Sequence, residues 1–143
     1  MGERITFKRP DGKEAAGYLA KAKPGAPGLV VIQEWWGLNE QIKGVVDRFA
    51  AAGFNALAPD LYTGRVVPYH DSAAANAEMT SLNFLDAVDQ ICRGGAQKLK
   101  ADGAGKVGVT GFCMGGAMTI LAAARVPEFV SRYQLITFSN FLI

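Results

Sequence analysis

Residues 106–116, which read KVGVTGFCMGG, decide the fold predicted for this chain. The apolar stretch 106–110 predicts a buried strand, and the small residues from position 115 predict a helix that runs to about Arg125. Between them lies G-x-C-x-G, the pattern of a nucleophile elbow in which cysteine replaces serine. A strand, a sharp turn and a helix in this order predict an α/β protein with a nucleophile above one end of its sheet.

Glycines flank the cysteine in this pattern at positions Gly111, Gly115 and Gly116. The nucleophile of an elbow has strained backbone angles, and bulky side chains beside it would collide with the turn. The turn also directs the Met114 N–H and the helix N-terminus towards a bound group, where they stabilise an oxyanion and favour a thiolate. We therefore predict that Cys113 is a nucleophile. The competing interpretation is a buried structural cysteine.

The remaining elements alternate outward from this motif. The chain is predicted to contain a β-hairpin over 5–20 that turns at Asp11-Gly12, a buried strand over 28–32, a helix over 39–52, a strand over 54–58, a connection over 61–72, a polar alanine-rich segment from 73 and a helix over 82–99. Asn39 is the expected N-cap of the first helix and Gly53 its C-terminal stop. This order predicts one α/β domain whose N-terminal hairpin precedes a mostly parallel, doubly wound sheet.

Composition narrows the class of protein. Half of the 143 residues are hydrophobic, a fifth are charged and the net charge is +2, as in ordinary globular proteins. Scattered basic residues give no reason to expect nucleic acid or a membrane as a partner, and no stretch has the length of a membrane span. Both cysteines are predicted to be thiols, with Cys92 in the core, and the expected location is the cytoplasm.

A second candidate feature is the stretch 33–37, QEWWG, at the carboxyl end of the strand over 28–32. Ligands of open α/β sheets bind outside the carboxyl ends of the strands, so Glu34 is expected near the same crevice as Cys113. A solvent-facing turn residue is the competing interpretation of Glu34. N–H groups of this loop could complete an oxyanion hole, since elbow folds draw their second donor from it.

Three stretches resemble successive signatures of the dienelactone hydrolase (carboxymethylenebutenolidase) family. They are QEWWGLN at 33–39, APDLY at 58–62 and GFCMGG at 111–116, and the resemblance extends from the first hairpin to about Pro127. It implies an α/β-hydrolase fold and a small-molecule ester or lactone substrate, with no organic cofactor and no metal. In that family the elbow cysteine attacks the carbonyl and forms an acyl thioester.

The resemblance also implies roles for individual residues. Glu34 matches the glutamate that holds the resting thiol and helps to generate thiolate when substrate arrives. The backbone N–H groups of Trp35 and Met114 match the oxyanion hole. Asp60 belongs to the family's Pro-Asp turn and is expected to be structural.

The acid and base of the triad have no match in this sequence. The fold orders its triad as nucleophile, acid and histidine, yet no Asp or His follows Cys113, and Glu128 is the one acidic residue there. The single histidine, His70, lies upstream and is expected to be an exposed loop residue. The chain therefore looks C-terminally truncated, and a catalytically inactive fragment that acts, if at all, by binding is the alternative function.

Residues 129–143 do not continue the family pattern recognisably and are treated as a divergent tail, in which a strand over 135–138 is conceivable. A sheet that ends early leaves an open edge strand and a partly uncovered helix, which predicts a protein that self-associates through that edge, needs a partner or is marginally stable. A nucleotide-binding fold would also alternate strands and helices. It is disfavoured because no G-x-G-x-x-G follows the first parallel strand.

Overall fold

The computed structural model describes residues 1–130, which form one sheet with helices on both faces. The strands are β1 (Glu3–Lys8), β2 (Glu14–Ala20), β3 (Gly28–Ile32), β4 (Asn55–Pro59) and β5 (Val107–Gly111). The helices are α1 (Glu40–Ala51), α2 (Ser72–Ser81), α3 (Phe84–Asp86), α4 (Arg93–Ala101) and α5 (Met114–Arg125), and a π-helical segment, Ala87–Cys92, joins α3 to α4. The strand order is β1-β2-β4-β3-β5.

The sheet combines an antiparallel hairpin with a parallel half. Strands β1 and β2 pair antiparallel, and β2 pairs antiparallel with β4. Strand β3 pairs parallel with β4 on one side and with β5 on the other. The carboxyl ends of β3, β4 and β5 therefore meet at one edge of the sheet, where α/β proteins place their ligand sites. The predicted hairpin, parallel sheet and strand order along the chain are confirmed.

Apart from Asn55 at the start of β4, strands β3 and β4 have no polar side chains, because helices cover both of their faces. On one face, Val31 packs with Ile42 and Val46 of α1. On the other face, Val30 and Ile32 belong to a larger cluster that includes side chains of the π-helical segment, α4 and α5. Alternate residues of one strand thus enter two different cores, which fixes the register of the sheet.

Helix α1 is delimited as its sequence predicts. The Asn39 side chain accepts a hydrogen bond from the Ile42 N–H at 3.1 Å, and Gly53 follows the helix with φ of 103°. An N-cap of this kind stabilises a helix by about 1 kcal/mol, and a left-handed residue just beyond the last turn favours glycine.

Three regions differ from the sequence prediction. The alanine-rich segment from 73 is a helix, α2, capped by Asp71; it has little amphipathic pattern because only Ala75 is buried. The helix predicted over 82–99 begins at Phe84 after the Asn83 cap and contains the π-helical segment. Strand β5 is buried only at its two ends, because it is the outermost strand of the sheet within residues 1–130.

The first two residues of the predicted tail are part of the described structure. Phe129 is buried and forms a parallel bridge with Val107, and the Val130 N–H donates to the Val107 carbonyl at 3.0 Å. The chain therefore returns to the amino end of β5 after α5. The strand considered over 135–138 lies outside the described residues.

None of the helices described within residues 1–130 combines the length and the apolar character needed to cross a bilayer.

Candidate active site

Cys113 occupies a strained turn between β5 and α5. Its backbone angles are φ 53° and ψ −116°, and Thr63 is the only other non-glycine residue of positive φ within the described chain. A conformation of this kind costs about 1–3 kcal/mol and persists only where the surrounding structure enforces it. The Cys113 side chain is exposed, so the strain raises its sulfur out of the sheet edge into solvent.

Close backbone packing explains two of the three elbow glycines. A Cβ on Gly111 would lie 2.2 Å from the Gly115 carbonyl oxygen, and a Cβ on Gly115 would lie 2.3 Å from the Ile32 carbonyl oxygen. Neither position can hold a side chain without moving backbone. Gly116 is different, because a Cβ there would approach its nearest atom, the Gly111 oxygen, only to 3.5 Å. The third glycine is therefore not required by packing.

The elbow rests directly on the carboxyl end of β3. The Phe112 N–H donates to the Ile32 carbonyl at 3.4 Å, and the backbone of Gly115 lies against the Ile32 and Gln33 carbonyls. The nucleophile turn is thus in contact with the residues that immediately precede Glu34. The two motifs that the sequence placed near each other are neighbours in the structure.

Residues 34–37 form a tight turn after β3. Glu34 and Gly37 form an isolated bridge, and the Gly37 N–H donates to the Glu34 carbonyl at 3.2 Å. Gly37 has φ of 99°, and a Cβ there would lie 2.5 Å from the Arg65 carbonyl oxygen, so glycine is needed for both reasons. The turn is held against the loop that follows β4.

The Glu34 carboxyl is half-buried, and burial raises its pKa above the ordinary value. Desolvation disfavours the charged form, so this carboxylate is a stronger base than a solvent-exposed glutamate. Glu34 lies in the turn that follows β3, as both interpretations of this residue require, a site residue and a solvent-facing turn residue. Its part in proton exchange with the Cys113 thiol stays a prediction.

Two backbone N–H groups near the elbow have no acceptor among residues 1–130. The first turn of α5 uses the Gly116 and Ala117 N–H groups as donors to the Cys113 carbonyl. Within residues 1–130, the N–H groups of Trp35 and Met114 donate to no protein acceptor. Unpaired donors on the two sides of an elbow are what an oxyanion hole requires.

The sequence analysis included Gln33 in the stretch 33–37 but gave it no role. Gln33 is fully buried, and its Oε1 accepts a hydrogen bond from the Leu61 N–H at 3.1 Å, which links the ends of β3 and β4. Its Nε2 atom is buried and has no hydrogen-bond partner among residues 1–130. A polar residue at the end of an apolar strand was the available signal, because buried amides are rare unless they make specific bonds.

Tyr62 is a second residue that the sequence did not single out. It is buried beside the elbow, and its hydroxyl donates to the Met114 Sδ at 3.5 Å. Its backbone N–H donates to Asp60 Oδ1 at 3.1 Å, while Asp60 Oδ2 accepts from the Gly64 N–H at 2.8 Å. Asp60 therefore organises the turn that carries Tyr62, in keeping with its expected structural role.

Three other titratable residues lie apart from this cluster. His70 is exposed in the loop before α2, and Cys92 is buried in the π-helical segment, where burial raises its pKa to about 12. The Glu128 carboxylate is bound by the Arg93 guanidinium at 2.9 Å and by the Gln97 amide at 3.1 Å. Glu128 precedes the segment that joins the amino end of β5, which is opposite the elbow.

No group of three or more His, Cys, Asp and Glu side chains within residues 1–130 is arranged to hold a metal ion. A surface groove of about 540 Å³ lies between the start of α1 and the loop over 66–69. Its lining includes Asn39, Lys43 and Tyr69 but not Cys113. The candidate site is therefore defined by the elbow and its neighbouring turns rather than by this groove.

Comparison with known proteins agrees with this geometry. A protein usf from Aquifex pyrophilus is 39% identical over 136 residues, which cover 91% of this chain and 58% of that protein. A "Putative carboxymethylenebutenolidase" from Aquifex aeolicus strain VF5 is 35% identical with the same two coverages. The chain thus spans little more than half the length of these relatives.

Solved structures and family models give the same result. The crystal structure of a "Putative Dienelactone Hydrolase" from Klebsiella pneumoniae superimposes with a TM-score of 0.76 at 28% identity, covering 90% of this chain and 57% of that one. The model of the dienelactone hydrolase family matches residues 15–133, which extends into the segment 129–143 that the sequence analysis set apart. The strained Cys113 elbow thus lies in an incomplete α/β-hydrolase fold, and the chain belongs to the dienelactone hydrolase family.

Proposed function

We propose that this chain carries the nucleophile of a cysteine-dependent hydrolase of carboxylic esters or lactones. The observation that supports this most directly is the conformation of Cys113, an exposed residue of positive φ between β5 and the first turn of α5. A structural cysteine gains nothing from a strained, exposed backbone position, whereas a nucleophile needs both access and nearby N–H donors. Family membership supplies the substrate class, an ester or lactone of a small molecule.

In the proposed reaction the Cys113 thiolate attacks the carbonyl carbon of the substrate. The electron pair of the carbonyl moves to its oxygen, and this oxyanion accepts hydrogen bonds from the N–H groups of Trp35 and Met114. Collapse of the intermediate re-forms the carbonyl and breaks the bond to the alcohol oxygen, which takes up the proton that the Cys113 thiol lost and leaves as the alcohol, so that an acyl thioester remains on Cys113. Attack by water on the thioester then releases the carboxylic acid and regenerates the thiol.

Glu34 is proposed to hold the thiol proton before reaction. Its raised pKa makes the carboxylate a better proton acceptor than an exposed glutamate. Proton transfer from Cys113 to Glu34 would produce the thiolate and a neutral carboxyl, and burial favours the neutral form of the carboxyl. The same burial that disfavours a charged Glu34 thus favours the thiolate state of the pair.

A second candidate is a chain that has the family fold but does not turn over substrate. Of the candidates outside the elbow region, Glu128 is engaged by Arg93 and Gln97, and His70 is an exposed loop residue. Neither is placed by a described contact to act as the acid or base of Cys113. This alternative predicts acylation of Cys113 without release of the acyl group.

Hydrolysis of p-nitrophenyl acetate tests both candidates. The wild-type chain, Cys113→Ala and the control Cys92→Ala are compared by p-nitrophenol release and by the mass of the intact protein. Steady release by the wild type and by Cys92→Ala, absent from Cys113→Ala, supports the hydrolase. One equivalent of release with a stable acetyl adduct on Cys113 supports the second candidate, and equal release by all three chains contradicts both.

Self-association through the outer edge of β5 stays a prediction. Within residues 1–130, hydrogen bonding along that edge is limited to its first residue. An edge strand with unpaired backbone groups favours pairing with another chain. Sedimentation velocity over a range of concentrations should show dimers or larger species, and a monomer at all concentrations would contradict the prediction.

A further inference from the structure

Tyr62 lies between the two turns that carry the proposed oxyanion donors. It is 3% exposed, although it follows β4 in a loop, and loop residues are usually accessible. Its position at the carboxyl end of β4 brings it to the edge where β3 and β5 also end. A buried aromatic residue at that edge contacts elements that are far apart in the sequence.

One contact of Tyr62 is with the nucleophile elbow. The hydroxyl donates to Met114 Sδ at 3.5 Å, and Met114 is the first residue of α5 and itself buried. Sulfur is a weak acceptor, so the bond orients the side chain more than it stabilises the protein. The backbone N–H of the same methionine is one proposed oxyanion donor.

The other contact is with the turn after β3. A Cβ on Gly37 would lie 3.4 Å from the Tyr62 Cδ2, so the aromatic ring lies beside this turn and leaves no more room than one methyl group would fill. The turn begins at Glu34 and includes Trp35, the second proposed donor. One side chain thus contacts the elbow residue Met114 and lies beside the turn that includes Trp35.

The position of Tyr62 is itself fixed from behind. Asp60 Oδ1 accepts the Tyr62 N–H at 3.1 Å, and Gln33 Oε1 accepts the adjacent Leu61 N–H at 3.1 Å. These two bonds link the loop that carries the ring to Asp60, which follows β4, and to Gln33, which precedes Glu34. A spacer can set a distance only if it is held rigidly, and these bonds provide that rigidity.

We propose that Tyr62 is a positioning residue of the oxyanion hole, which holds the Trp35 turn and the Met114 turn at a fixed separation. This role rests on the proposed function of Cys113 and concerns only the step in which negative charge develops on the substrate oxygen. The ring provides the separation, and the hydroxyl orients Met114. Burial, together with the negative charges of Glu78 and of a Cys113 thiolate, raises the pKa of Tyr62 to about 12, so the hydroxyl remains a donor at neutral pH.

Two reactions of Cys113 separate this role from a general effect on the thiol. Acylation by p-nitrophenyl acetate passes through an oxyanion, whereas alkylation by iodoacetamide is a displacement at carbon that forms none. The ratio of the acylation rate to the alkylation rate therefore measures stabilisation of the oxyanion. Changes in the exposure or ionisation of the thiol affect both rates and drop out of the ratio. The variants are Tyr62→Phe and Tyr62→Leu. Tyr18→Phe and Tyr18→Leu are the matched controls, because Tyr18 lies on β2 and its hydroxyl donates to Asp47 of α1.

Tyr62→Leu is expected to lower the acylation-to-alkylation ratio by about tenfold or more, within the range seen when one oxyanion donor is lost. Tyr62→Phe should retain most of the ratio because it keeps the ring. The Tyr18 variants should leave the ratio unchanged even where they lower the melting temperature. Suppose that the wild type shows Cys113-dependent acylation. An unchanged ratio in Tyr62→Leu, or an equal fall of the ratio in Tyr18→Leu, would then overturn the role of Tyr62 and leave the proposed function intact. Absence of Cys113-dependent acylation in the wild type would instead overturn the proposed function, and with it this role.

Discussion

Cys92 and Cys113 are the same chemical group in two opposite environments. Cys92 is fully buried in the π-helical segment and belongs to the main core cluster. Its backbone angles are those of an ordinary right-handed helix. Cys113 is exposed, has a positive φ and precedes Met114, whose N–H has no acceptor among residues 1–130. The comparison shows that the fold, and not the residue type, separates a packing residue from a candidate nucleophile.

The largest expected difference between the two cysteines is in their reaction with iodoacetamide. Burial raises the pKa of Cys92 to about 12 and also denies access, so its thiolate is both scarce and shielded. We expect Cys113 to react at least about 1,000-fold faster than Cys92 at pH 8, because a thiol of so high a pKa is hardly ionised there. Peptide mapping by mass spectrometry over time measures both rates in one sample. Rates within tenfold of each other would remove the basis of the comparison.

Substitution of the elbow glycines tests whether packing enforces the Cys113 environment. Gly115→Ala should destabilise the chain by about 3 kcal/mol or more, because its Cβ would lie 2.3 Å from the Ile32 oxygen and backbone must move. Gly116→Ala is the matched control and should be neutral or stabilising by up to about 1 kcal/mol, since alanine favours a helix. Urea unfolding followed by circular dichroism gives both values. Equal effects of the two substitutions would mean that the close contact at Gly115 is not a constraint.

Removal of the buried thiol tests the other side of the comparison. Cys92→Ala should cost about 1–2 kcal/mol of stability through the small cavity that it leaves. The alkylation rate of Cys113 should not change, because Cys92 lies in the core and not at the carboxyl edge of the sheet. Thermal unfolding and the alkylation assay together check this. A changed Cys113 rate with little loss of stability would show that the two sites are coupled.

The smallest expected effect concerns the Glu34 carboxyl. The pKa of the Glu34 carboxyl is higher in the folded protein than its ordinary value of 4.5. Above pH 4.5 the folded protein therefore binds more protons than the unfolded chain, and the free energy of unfolding falls as pH rises. Glu34→Gln removes this loss, so the variant should gain stability relative to wild type as pH rises from 4 to 7, by less than about 1 kcal/mol because the group is only half-buried. Urea midpoints at several pH values measure the difference. A gain that is independent of pH would exclude Glu34 ionisation as its cause.

Local sequence patterns predicted most of the fold. The hairpin, β3, β4 and α1 follow from alternation, from unbroken apolar runs and from the Asn39 cap, which are signals that each segment carries by itself. Helix α2 lacks an amphipathic pattern because it lies on the surface with one buried residue, so the sequence offered no period to detect. The π-helical segment, which packs against α5, also has no local pattern that distinguishes it from an α-helix.

The candidate site was predictable where a motif fixes the backbone, and less so where tertiary contacts decide the role. Cys113, Gly111 and Gly115 follow from the steric needs of a strand-to-helix elbow, and Glu34 from its place at a strand end. Gly116 was included by pattern alone, and the structure shows no close contact that requires it. Tyr62 could not be identified, because its importance depends on Met114 and Gly37, which only the folded sheet brings to it.

The register of β3 with β5 has a consequence for how the protein folds. Gly28 pairs with Val107, and Ile32 pairs with Gly111, so each pair joins residues 79 positions apart. Contacts of such separation form slowly, because the entropy of closing a long loop must be lost before the pairing stabilises anything. During synthesis the ribosome must deliver all of β5 before the elbow can close on Ile32. The turn that carries Cys113 is therefore among the last parts of the described chain to be assembled, and a stalled or slowly folding chain would present Cys113 without its strained backbone conformation.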